Sequence, residues 1–247
     1  VAKPDSTQAT ETLHEIESIF ERVAHWVATN PVTVLVILGA VLAGAAGFGG
    51  YRAWSQSREA AASAEVAEIQ AEYLKAMGAP PGALDIPEPA NAEAAAATRR
   101  EFATRFQEAA ERQRGTAAGV AAWLQAGDLL TDVGDREGGL GAWRTAAETA
   151  PGGSALQALA RTQLAAGLEA GGDGAGAAAE YLLAGQTPDF PGRVLALGDA
   201  ARCFADAGQT ERALEVFAGI DAEDVRQLPP HVAARLAELR VRTESGH

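Results

Sequence analysis

The chain is short of the residues that carry most protein chemistry. It has a single cysteine, so no internal disulfide and no cysteine-rich zinc site can be built from it. Its histidines, His14, His25, His231 and His247, are scattered, and none forms the HExxH or i,i+4 pair of a catalytic metal site. Aromatic residues make up 6% of the 247, although hydrophobic residues reach 47%. A β-sandwich draws on branched and aromatic side chains, whereas this chain is rich in alanine and holds 27 glycines. Small side chains suit helices packed closely on helices. Cations are scarce too: 20 Lys and Arg stand against 33 Asp and Glu, a net charge of −13. A nucleic-acid partner needs cations against its phosphates, so none is expected. No acid–base or nucleophilic set of residues stands out, and no cofactor or metal is expected.

One long uncharged run is present: VTVLVILGAVLAGAAGFGGY, residues 32–51. Twenty residues at about 1.5 Å each span roughly 30 Å, the hydrocarbon thickness of a bilayer. Trp26 precedes the run, Tyr51 and Trp54 close it, and such rings favour the membrane interface. The alternatives are a cleaved signal peptide and a buried soluble helix. The residues before the run are acidic, with Lys3 and Arg22 against Asp5, Glu11, Glu15, Glu17 and Glu21, unlike the basic start of a signal peptide. A single uncleaved transmembrane helix over 32–54 is therefore expected. Arg52 and Arg58 follow the run and only Arg22 flanks it before, a difference of one residue against an inside N-terminus. A short tail before the run and a long domain after it fit a signal anchor, so a cytoplasmic N-terminus and an exported C-terminal domain are expected. Gly39, Ala43 and Gly47 repeat every fourth residue and would let a second transmembrane helix approach, giving a homo-oligomer. The abundance of Gly and Ala in the chain is the other reading of that stripe.

Residues 1–31 read as a cytoplasmic tail with an amphipathic helix, its apolar stripe Leu13, Ile16, Phe20, Val23 and Val27. Its acidic polar face suits a protein partner or self-association better than anionic lipid, and the alternative is a helix with no partner. Residues 55–115 read as a helical hairpin around a Pro-rich loop at 79–90. Val66, Ile69 and Tyr73 edge one helix, and Ala95, Phe102 and Phe106 the other, with Asn91 as the cap between them.

Residues 116–247 repeat themselves. With Gly134, Gly172 and Gly208 aligned, small residues fall together at Gly127, Ala165 and Ala201, and larger apolar ones at Leu130, Leu168 and Phe204. After the turns come Gly139, Ala177 and Ala213, and then the aromatics Trp143, Tyr181 and Phe217. This is the pattern of a tetratricopeptide (TPR) helix–turn–helix: small residues where two helices cross, an aromatic filling the space toward the next pair, and glycine ending the first helix. The turns lie 38 and 36 residues apart, longer than the usual period of about 34. Asp135 and Thr210 are the expected N-caps after their turns. A closing helix over about 230–243, with Val232, Leu236 and Leu239 on one face, would cap the last pair. The expected fold is thus all-α: one transmembrane helix followed by a TPR-like solenoid of about three helix pairs.

The acidic tail, the single span ending in Tyr51-Arg52-Ala53-Trp54, the Ala-rich helix and the TPR-like units together resemble the YfgM-type inner-membrane proteins. The resemblance covers nearly the whole chain in layout and implies repeats that face the periplasm. It implies as partners the SecYEG translocon, periplasmic chaperones and unfolded exported chains. The long N-terminal helix and the Pro-rich loop depart from a compact member.

Two local signals are set aside. Gly172-Asp173-Gly174-Ala175-Gly176-Ala177 touches a dinucleotide-binding fingerprint, but a helix is expected before it where that motif needs a strand. Cys203 has no histidine nearby in sequence and reads as a packing residue. The expected binding site is instead a peptide groove on the first helix of each pair: Leu124, Asp128 and Asp132, then Leu159 and Glu169, then Leu195, Arg202 and Asp206. Leucines among carboxylates favour apolar or basic unfolded segments over acidic peptide ends. The alternative is that the chain's own helix 55–77 fills the groove. At the level of the whole protein, the leading expectation is a membrane-anchored, translocon-associated, chaperone-like binding module. The others are a scaffold or assembly factor of another bacterial envelope complex and an enzyme with a TPR-like shell.

Overall fold

The computed structural model describes residues 29, 31–79 and 91–220, and then 226, 228–230, 232–234, 237–238 and 241, with side chains within the first helix described from 42 onward. The amphipathic stripe at 13–27, the loop residues 80–90, and Leu236 and Leu239 lie outside them. Among the described residues the protein is all-α, without a strand. The helices are α1 (Pro31–Ala76), α2 (Ala92–Arg112), α3 (Ala117–Asp132), α4 (Arg136–Thr149), α5 (Ala155–Ala170), α6 (Gly174–Gly185), α7 (Arg193–Asp206) and α8 (Thr210–Ala218). The chain divides into two compact units, 1–57 and 58–247.

In the first unit Pro31 opens α1, where its missing N–H costs nothing. Leu42, Phe48, Tyr51 and Trp54 are large, apolar and exposed. Arg52 stacks over the Phe48 ring at 5.3 Å, and the Tyr51 and Trp54 rings lie 6.2 Å apart. Among the described residues no helix is long and apolar enough to cross a membrane. The more apolar half of the expected span, residues 32–41, lies outside the described side chains.

The second unit begins with an antiparallel pair. Residues 58–76 of α1 pack on α2: Ile69, Tyr73 and Met77 share a core with Phe102, Phe106 and Ala109, and with Ala122, Ala126 and Leu129 of α3. Glu65 accepts from Arg112 and Gln113, and Glu72 from Arg105. These bonds hold the Glu65 carboxyl below its usual range, Gln113 more than Arg112. The Asn91 side chain caps α2 by accepting from Ala94 N. The start of α3 is held twice: Thr116 accepts from Gly119 N, and Glu59 accepts from Ala117 N and Ala118 N, both at 2.9 Å. Three of the amides that a helix start leaves unpaired thus find oxygens.

From α3 onward each helix packs on the next along the chain. The three aligned glycines all have φ near +80° and end α3, α5 and α7. Each turn closes in the same way. Asp135 N donates to Leu130 O, Asp173 N to Leu168 O and Gln209 N to Phe204 O, at 2.8–3.0 Å. These are the six-to-one bonds of a Schellman ending, which only glycine makes without strain. The next helices start on Asp135 and Asp173, whose side chains accept from Gly138 N and Gly176 N. Thr210 is not a cap, contrary to expectation. It is the first residue of α8, and Gln209 holds the cap position without a side-chain bond.

The crossings are tight where the repeat has its small residues. A Cβ on Gly127 would collide with the Trp143 indole, and one on Gly139 would lie 3.0 Å from Gly127 O. The same indole reaches the next pair, where a Cβ on Gly167 would stand 2.5 Å from its six-membered ring. Ala165, Ala177, Ala201 and Ala213 are fully buried, sharing one core with Tyr181 and Phe204, against which Phe217 also packs. Past α8, Leu228 and Val232 are buried against Gly198 of α7.

Candidate functional site

Helices α3, α5 and α7 carry the residues singled out as a groove, and the structure gives them different surroundings. On α3, Leu124 is half-buried beside Val120, Ala146 and Ala147, and its carbonyl accepts from Trp143 Nε1 at 3.3 Å. Asp128 accepts from the same Nε1 at 3.1 Å, and burial pushes its carboxyl above the ordinary range. Asp132 pairs with Arg99 of α2 at 3.8 Å. Leu124 and Asp128 therefore serve the α3–α4 contact.

The α5 and α7 residues do come together. Arg202 forms a two-pronged bond to Glu169 at 2.6 and 2.9 Å, joining the two helices. It also meets Asp199 at 3.2 Å and Asp206 at 3.8 Å. The bonds from Arg202 hold the Glu169 carboxyl below its usual range, and those same bonds push the guanidinium pKa up. A cleft of about 410 Å³ opens beside this cluster, lined by Glu169, Asp173, Arg202, Cys203 and Asp206 among others. Three of its charged side chains are acidic and one is basic. Cys203 is itself buried, and burial first of all raises its thiol to about 12. At neutral pH it is a protonated packing group and a poor nucleophile.

Leu159 and Leu195 are 43% and 45% exposed. Each adjoins an alanine of one small core, Ala158 and Ala196, packed with Ala184. The starts of α5 and α7 thus share this core with α6. On α7, Leu195, Asp199, Arg202 and Asp206 follow one another at i, i+4, i+7 and i+11, a single stripe. The described hydrogen bonds of residues 58–77 to other elements go to α2, the turn after it and the start of α3. Of the small residues expected to pair transmembrane helices, Ala43 is exposed, nothing stands within 4 Å of a Cβ on Gly47, and Gly39 lies outside the described side chains.

Sequence reasoning missed two features. Asp173 is the α6 cap, although it follows its turn glycine just as Asp135 does; the glycine spacing around it drew attention to phosphate binding instead. A helix, α5, precedes that motif. Asp199 was also missed as a member of the Arg202 cluster, although it sits one helical turn before Arg202. Among the described residues no group of three or more His, Cys, Asp or Glu is placed to hold a metal ion. No family model matches the chain, and no curated protein matches it significantly.

Proposed function

We propose that the helix pairs form a TPR-like solenoid on a single transmembrane anchor, and that the protein is a membrane-bound protein–protein interaction module. In this reading it is a YfgM-type accessory of the SecYEG translocon, holding newly exported chains on the periplasmic side of the bacterial inner membrane. The observation that carries the reading is the recurrence of one unit. The same glycine-closed turn and the same small-residue crossing occur at Gly134, Gly172 and Gly208. Stacked units of this kind build long surfaces for other polypeptides. The exposed Leu159 and Leu195 give that surface an apolar part.

A second reading is a scaffold of another envelope complex. It is favoured by how many polar groups on α3, α5 and α7 already have partners within the chain, which gives a fixed surface suited to one permanent partner. Purification in mild detergent followed by mass spectrometry separates the two. Recovery of SecYEG subunits supports the translocon reading. Recovery of one unrelated envelope machine in their place overturns it in favour of the scaffold.

A further inference from the structure

The face formed by α5 and α7 carries exposed leucines at one end and a carboxylate-rich cluster at the other, whose cation, Arg202, is already committed. Arg202 is shared among Glu169, Asp199 and Asp206, so the cluster keeps a formal charge of −2. A free peptide carboxylate would have to break a two-pronged ion pair to reach that guanidinium, and would then meet two further carboxylates. A lysine or arginine side chain would meet the opposite field. Asp173 and Asp206 line the cleft of about 410 Å³ from two sides, and its walls include Gly172, Gly174 and Ala207, which leave room.

The apolar end is set at a fixed distance. Leu195 and Asp206 are 11 residues apart on one stripe of α7, about 16 Å at the helical rise. An extended chain advances about 3.3 Å per residue, so about five residues cover that distance. Leu159, at the start of α5, is as exposed as Leu195 and offers a second apolar contact.

We propose that this face binds an extended polypeptide segment with a large apolar side chain on Leu159 and Leu195 and a lysine or arginine about five residues away, in the cleft beside Asp206. The inference rests on reading the helix pairs as a protein-binding module, and it names the class of segment that module takes. Apolar contact supplies the affinity, and the carboxylates supply the discrimination against acidic segments.

The test uses the full-length chain in lipid nanodiscs and labelled, end-blocked peptides of one length in a Ser/Gly background. One carries Leu and Lys about five positions apart, one Leu and Glu, and one Ser and Lys; fluorescence anisotropy reads binding. The Leu/Lys peptide is expected to bind about tenfold more tightly than either of the others, with an advantage over Leu/Glu that shrinks as salt is raised. The double variant Leu159→Ser with Leu195→Ser should lose most of that binding. Asp206→Asn should reduce the preference for Lys over Glu while keeping the apolar contact. Thermal melts of each variant identify any loss of fold. Equal affinity for Leu/Lys and Leu/Glu, or undiminished binding by the folded double variant, overturns the proposal. Loss of binding in the double variant without any Lys preference overturns only the segment class. Failure of every peptide to bind overturns the interaction-module reading as well.

Discussion

The smallest side chains and two half-buried carboxylates bear on the stability of this protein residue by residue. Ala201 is fully buried in a core with Ala165, Ala177, Tyr181 and Phe204. Three added heavy atoms have nowhere to go, so Ala201→Leu is expected to cost about 1–3 kcal/mol, read as a lower denaturation midpoint; an unchanged midpoint would break the proposed crossing register. Asp128 and Glu169 bear on pH in opposite directions. Burial raises the folded pKa of Asp128 above its unfolded value. Its protonated form is therefore favoured by folding, and that contribution disappears as pH rises through the folded pKa. Asp128→Asn keeps an oxygen for the Trp143 indole without the charge. It is expected to melt higher than the parent at neutral pH, with the difference closing in acid. Hydrogen bonds from Arg202 lower the folded pKa of Glu169. Its contribution is present above the unfolded carboxylate range and is lost as pH falls through the folded pKa. Glu169→Gln should therefore destabilise at neutral pH and converge with the parent in acid. A parallel pH dependence of the two variants would contradict both assignments.

At the scale of the helix and its turn, the fold rests on a local device used repeatedly. Gly172 has a φ of +84° and no neighbour within 4 Å of a Cβ, so a side chain there meets backbone strain rather than crowding. Gly172→Ala is expected to cost about 1–2 kcal/mol. Gly152→Ala, at a site equally open but without positive φ, should change stability far less; equal effects in chemical denaturation would remove the turn argument. Such devices are legible in sequence because they are local. A glycine between two helical patterns, with a small residue at a fixed offset after it, marks α3–α4 and α5–α6 in the sequence itself, and Asp135 adds a cap to the first. The hairpin of α1 and α2 is legible for the same reason, since Ile69 and Tyr73 on one element and Phe102 and Phe106 on the other define two facing edges. What was not legible is long-range. Glu169 lies 33 residues before Arg202, and nothing in either segment says that one will neutralise the other. The indole that ties Asp128 into the α3–α4 contact comes from another helix, so spacing alone could not separate it from Asp132. The cap of α8 was misplaced by one residue because Thr210 is the better capping side chain, while Gln209 is where the Schellman turn leaves the chain.

At the scale of the whole molecule, the proposed membrane anchor is a question about the solvent around α1. Leu42, Phe48, Tyr51 and Trp54 are each more than half exposed, and a Cβ on Gly44, Gly47, Gly49 or Gly50 would meet nothing within 4 Å. Exposed apolar side chains of this size are costly in water and would cost nothing in the lipid of the proposed anchor. The uncharged run continues back to Val32, which brings the apolar stretch to about the 30 Å of a bilayer core. In the proposed anchored arrangement Tyr51, Arg52 and Trp54 would fall where rings and cations meet headgroups. The repeat units follow this boundary, so anchoring and the side of the membrane are two separate questions with two separate measurements. Alkaline carbonate should leave the full-length protein in the membrane pellet, because an apolar helix in lipid does not depend on ion pairs; release into the supernatant would remove the anchor. A reporter fused after His247 that is active only when exported should be active. A silent fusion paired with an active cytoplasmic reporter at the same site would place the Leu159–Leu195 face on the other side of the membrane. Exported chains would then be excluded as its ligands even if the anchor itself were real.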